Sequence, residues 1–233
     1  MTTLVSVSLL AVTACNDNSA NDLMSWTQLS SGVVEGNVLI PNVKEKLDEA
    51  LKWAQTDTLW APDVIQLADG KYYMYYNACK GDSPLSALGI AMSDNIEGPY
   101  KNKGVILKSG MAGIGDDGEI YDATQKPNVV DPDVFFDKEG KLWMVYGSYS
   151  GGIFIMELNA STGFPLPDQD YGKKLLGANH ARIEAPYMLY SPETDYYYLF
   201  LSYGGWLQTV AITSVWLVLR RQMDLLKILR VRI

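Results

Sequence analysis

Two carboxylates are the first candidates for chemistry. Asp131 stands directly before Pro132, and Glu184 stands two residues before Pro186. Each proline opens an apolar, aromatic-rich run, PDVFF in one case and PYMLY in the other. A carboxylate placed where a loop hands over to a buried strand is partly stripped of water. Loss of water disfavours the charged form, so a raised or tuned pKa is expected at both positions. Such tuning is what general acid/base chemistry requires.

The surroundings of this pair repeat. Aligned on Pro62, Pro132 and Pro186, the chain reads WAPDVIQLADGKYYMYYNA, VDPDVFFDKEGKLWMVYGS and EAPYMLYSPETDYYYLFLS. Gly70-Lys71 and Gly140-Lys141 follow their prolines by the same interval, with Thr194-Asp195 in that slot of the third copy. Tyr76, Tyr146 and Phe200 then align. Each copy is a short strand, a polar turn and a second strand of alternating aromatic and aliphatic residues, which is the pattern of a β-hairpin. Third strands are expected at Ser86–Ser93 and Gly151–Leu158. Hairpin-plus-strand units recurring at roughly 50–70 residues point to an all-β propeller built of small antiparallel sheets.

The run WAPDV, the segment DPDVFFD, the turn GSYSGG and the segment RIEAPY, in that order, resemble glycoside hydrolase family 43, and within it the endo-acting α-1,5-L-arabinanases. The resemblance covers Ser19 to Gly205. It implies a five-bladed β-propeller, here incomplete at roughly three blades. It further implies an inverting glycosidase that uses a general base, a pKa modulator and a general acid. By resemblance Asp131 is the modulator and Glu184 the acid; the base, an Asp in the first blade, has no counterpart upstream of Asp131. In an inverting site the acid and base stand roughly 6.5–9.5 Å apart, with a water between base and sugar. Ile183 and Ala185 flank Glu184 with apolar neighbours that favour its protonated form, and the charge of Asp131 is expected to raise it further. Trp60 is the stacking platform for a furanose ring, or else part of a sheet core. By resemblance Asn128, Val129, Val130, Ser148, Tyr149 and Ser150 line sugar subsites. Gly89 is expected to let the backbone approach a ligand. His180, the sole histidine, and Arg182 either contact sugar hydroxyls and tune the site or are structural. Asp63 is expected to be structural. The implied partner is arabinan or an arabino-oligosaccharide. The alternatives are a carbohydrate-binding propeller without catalysis and an exo-acting arabinofuranosidase or xylosidase of the same family.

Composition sets the outer limits. The chain has 233 residues, 48% hydrophobic and 20% charged, which suits a globular protein with a sizeable core. A net charge of −8 argues against a nucleic-acid partner, which needs a basic surface. Two cysteines, Cys15 and Cys79, make no disulfide framework. Residues 1–18 carry the apolar run LVSVSLLAV and a box at Val12–Cys15 like that of a bacterial lipoprotein, yet no Lys or Arg precedes Lys44. They are either an export signal or a non-native start, and a membrane partner or an extracellular or cell-envelope location depends on the first. A helix is expected at Val43–Gln55, where Val43, Leu47, Leu51 and Ala54 share a face. Asp116, Asp117 and Glu119 could hold a structural calcium, but lack the ligand register of an EF-hand and read better as a solvated loop. After Gly205 the repeat pattern stops. Residues 206–233 carry five basic residues and one acid, and fit a surface-lying amphipathic helix or, because the break falls mid-motif, a frameshifted tail. A monomer with open sheet edges, and hence low solubility, is expected.

Overall fold

The computed structural model describes residues 44–80, 83–110, 115, 118, 120–204, 213–219 and 225–231, the last two stretches as backbone. Three four-stranded antiparallel meanders follow one another along the chain. The first is β1 (Leu59–Gln66), β2 (Tyr72–Cys79), β3 (Ser86–Ser93) and β4 (Lys101–Lys108). The second is β5 (Asp133–Phe136), β6 (Leu142–Tyr146), β7 (Ile153–Leu158) and β8 (Lys173–Leu176). The third is β9 (Ile183–Ser191), β10 (Tyr196–Tyr203), β11 (Thr213–Leu219) and β12 (Leu225–Val231). The all-β expectation and the expected helix both hold, the latter as α1 (Lys44–Ala54). Gln55, in the left-handed region at φ 51°, ends that helix, and the Thr56 amide closes back on the Leu51 carbonyl at 3.1 Å.

The sheets stack face to face because their strands are apolar on both sides. In the second sheet Leu142, Met144 and Tyr146 of β6, with Phe154, Met156 and Leu158 of β7, pack on Tyr73, Tyr75, Leu88 and Ile90 of the first. Trp143, Val145, Ile153 and Ile155, one step out of phase, pack on Ile183, Met188, Tyr197, Leu199 and Leu201 of the third. The period-2 alternation of a strand thus serves two interfaces at once. The outer face of the first sheet, with Met74, Tyr76, Ala78, Ala87 and Ala91, is covered by Leu47, Ala50 and Ala54 of α1.

Two alignments made from sequence need correction. Tyr75 pairs with Asp63 and Val145 with Asp133, but Phe200 pairs with Tyr187. The third hairpin has one more residue between its paired positions, and its left-handed turn residue is Asp195 where the others use Gly70 and Gly140. The equivalent of Tyr76 and Tyr146 is therefore Leu201, buried as they are, because a one-residue slip sends a side chain to the other face. Of the segment expected to lie outside the repeat, 213–219 and 225–231 pair as the third and fourth strands of the third sheet. A β-branched and aliphatic run such as TSVWLVL has strand propensity whatever its origin. The proposed leader, Cys15, and Asp116, Asp117 and Glu119 lie outside the described residues.

Candidate active site

At or near the start of the first strand of each sheet the backbone makes the same kink. Ala61, Asp131 and Ala185, each directly before a proline, have φ values of 22°, 54° and 50°. In the first and third sheets the register shifts there, so that two residues of β1 or β9 oppose one of the partner strand. Left-handed backbone at a non-glycine residue is strained and persists only where neighbours hold it. The residue before each kink is Trp60, Val130 or Glu184, so the fold puts the expected platform and the expected acid at equivalent places in different sheets.

Asp131 joins all three sheets. Its amide donates to Asn77 Oδ1 (3.3 Å), on β2 directly opposite Trp60. Its Oδ2 accepts the amide hydrogen of Ala185 (3.2 Å), the peptide that follows Glu184. Asp131 and Glu184, 53 positions apart in sequence, thus come together as expected. Burial, and then the charge of Glu184, push Asp131 up to about 7, while the Ala185 hydrogen bond pulls the other way. Glu184 is raised by its partial burial. Burial is the cause at Glu184, without a contribution from the charge of Asp131 that the sequence led one to expect, and a carboxyl raised by burial is favoured in the protonated form a general acid needs.

The turn GSYSGG brackets Glu184. The Tyr149 amide donates to the Ile183 carbonyl and its hydroxyl to the Gly204 carbonyl, both at 2.8 Å. Burial, and then the Glu184 charge, raise the Tyr149 phenol, with Arg182 opposing. Ser148 and Ser150 are buried beside it. Gly151 permits the turn, since a Cβ there would run into the Gln125 and Lys126 carbonyls. On the other flank, Ser86 Oγ donates to Asn128 Oδ1 (2.5 Å) and accepts the Val129 amide (2.9 Å). Val129 is a core residue between the first two sheets, and Val130 is also buried, its carbonyl accepting the Gly147 amide.

Other expected residues lie further out or do other work. His180 is exposed, and its amide donates to the Ser150 carbonyl (2.8 Å). Its charge contributes, after two hydrogen bonds from Thr124, to holding the exposed Asp122 carboxyl low. Gly89 lies mid-strand under Tyr76, where a Cβ would collide with the phenol and with the Gly104 carbonyl. Its missing side chain makes room for that ring, which corrects the expectation that it admits a ligand. Trp60 is partly exposed, its indole Nε1 donating to Thr58 Oγ1 (3.1 Å). Asn77 went unremarked in the sequence. It is fully buried, and its Nδ2 has no hydrogen-bond partner. The signal was a lone amide ending the aromatic run YYMYYNA. Among the described residues no group of three or more His, Cys, Asp or Glu could hold a metal ion.

A pair of partly buried acids at neighbouring strand starts, beside a hydroxyl-rich turn, is compatible with glycosidase chemistry. The chain belongs to glycosyl hydrolases family 43, whose profile matches residues 18–223. It is 72% identical over 186 residues to the extracellular endo-α-(1→5)-L-arabinanase 2 of Bacillus subtilis (strain 168), covering 80% of this chain and 40% of that one. It is 57% identical over 191 residues to the extracellular endo-α-(1→5)-L-arabinanase of Thermotoga petrophila, covering 80% and 41%. Among solved structures, the glycoside hydrolase family 43 YxiA protein from Bacillus licheniformis superposes with a TM-score of 0.77 at 64% identity, over 81% of this chain and 43% of that one. The chain thus spans about two-fifths of the length of the curated relatives it matches.

Proposed function

We propose that this chain carries the acid side of an arabinanase active site, acting on α-1,5-linked arabinan outside the cell, and that its three sheets are three blades of an incomplete five-bladed propeller. The observation that supports this most is the link from Asp131 to the peptide following Glu184, which ties the two acids into one unit. Glu184 donates a proton to the glycosidic oxygen as the bond to the anomeric carbon breaks, and Asp131 orients it and adjusts its proton affinity. Inversion calls for a further carboxylate to draw a proton from water on the opposite face of the ring. The other acids near the starts of the first strands, Asp63 and Asp133, are committed to backbone amides of the next sheet, so neither is available as that base. With neither of these described acids free to serve as base, hydrolysis is impaired while sugar binding at Trp60 and the 148–150 turn persists, with the chain a monomer.

The experiment compares cleavage of linear arabinan with binding of arabino-oligosaccharides on one preparation. Retained binding with cleavage far below that of a full-length relative is the expected result. Cleavage equal to that of the relative would overturn the missing base, and absence of both activities would overturn the reading as a whole.

A further inference from the structure

A second pair of acids lies just past the prolines. Asp63 and Asp133 each follow the proline of their repeat, and each reaches into the next sheet. Asp63 Oδ2 accepts the Val134 amide (2.7 Å), and Asp133 Oδ2 accepts the Met188 amide (2.8 Å). These are the same link made twice, because Val134 and Met188 both stand second after their prolines. The nitrogen of Val134 is bonded to the carbonyl carbon of Asp133, so the first link sets one carboxyl against the residue that bears the other. Asp133 is only 7% exposed. Neither acid has a Lys, Arg or His partner among the described residues. Two carboxyls so placed, without a cation, cannot both ionise cheaply.

We propose that Asp63 and Asp133 form a clamp in which one of the two carboxyls stays protonated at neutral pH, and that this clamp pins three successive sheets and sets the spacing of the strands carrying Trp60, Asp131 and Glu184. The electrostatics agree. Burial raises Asp63 to about 6 against the hydrogen bonds from Val134 and Val64, and burial together with the charge of Asp63 raises Asp133 well above the ordinary range. The other titratable groups facing the pair add no positive charge. Tyr75 of β2 and Tyr187 of β9 are phenols pushed further up, chiefly by burial, and Asp131 and Glu184 at the strand starts are themselves raised. The unfolded chain releases these protons near pH 4 and the folded chain releases them later. The stability tied to the clamp is therefore complete in acid and declines as pH rises through about 6 and above.

The test follows aspartate carboxyl carbons by NMR across pH in the 233-residue chain carrying Asp131→Asn, which removes that neighbour's titration. Two Asp signals titrating at or above about pH 6, of which adding Asp63→Asn removes one and moves the other downward, are the expected result. Melting temperatures supply the second reading: Asp63→Asn, which keeps an uncharged acceptor, should flatten the decline in stability above neutrality, while Asp63→Leu should lower stability at every pH. The clamp is wrong if every Asp carboxyl ionises below about pH 5, or if Asn and Leu at position 63 behave alike. No sugar enters this test, so its outcome is separate from that of the arabinanase reading.

Discussion

Asp131 combines an unfavourable backbone conformation with an unfavourable charge. Its φ of 54° is held by the Asn77 acceptor on one side and the Ala185 donor on the other. Its carboxyl, raised to about 7, binds a proton that the unfolded chain has lost from about pH 4 upward. Stability from this group is complete in acid and falls as pH climbs through 7. Asp131→Asn should consequently gain on the order of 1–3 kcal/mol relative to the unmodified chain at about pH 8, and nothing near pH 4, as read by urea denaturation at the two pH values. Glu184→Gln keeps the shape but cannot donate the proton. It should lower whatever arabinan cleavage the chain retains by about 10²-fold or more, with oligosaccharide affinity little changed, measured by reducing-end release and calorimetry.

At the scale of the element, the kink before each proline and the register of each hairpin decide which side chains meet. Ala185 at φ 50° tolerates a methyl group but not a β-branched side chain. Ala185→Val should cost about 1–2 kcal/mol and loosen the link to Asp131, visible as a lower melting temperature. Gly89 is a second tight point. An added methyl would meet the Tyr76 ring, whose hydroxyl is already fixed on Asn102 Oδ1 at 2.6 Å. Gly89→Ala should destabilise by about 1–3 kcal/mol in denaturant titration, and a smaller residue at 76 should relieve part of that loss. The three hairpins, the third strands at 86–93 and 151–158, the turn glycines at 70 and 140 and the helix at 44–54 were legible in the sequence, because period, turn chemistry and propensity act over a few neighbouring residues, whereas the fourth strands β4 and β8 and the pairing of β11 and β12 were not. The slip that puts Leu201 where Phe200 was expected was not, since one extra residue in the third hairpin is invisible until the strands pair.

For the molecule as a whole, the second sheet is the keystone, with one face in each of two cores. Met144→Ala, in the core toward the first sheet, and Leu199→Ala, in the core toward the third, should each cost about 2–5 kcal/mol. Because the cores share that sheet, both variants should move a single unfolding transition seen equally by tryptophan fluorescence and circular dichroism. The amino-acid sequence by itself determined the repeat, the hairpins, the family, and the presence of acids at the strand starts, since each is written in residues close together along the chain. Tertiary structure alone decided which acid faces which amide: Asp131 with the peptide after Glu184, Asp63 with Val134, Asp133 with Met188. Those partners are between 54 and 71 residues apart, and the stacking of sheets, not any local pattern, sets the burial and neighbouring charge that shift a carboxyl's hold on its proton.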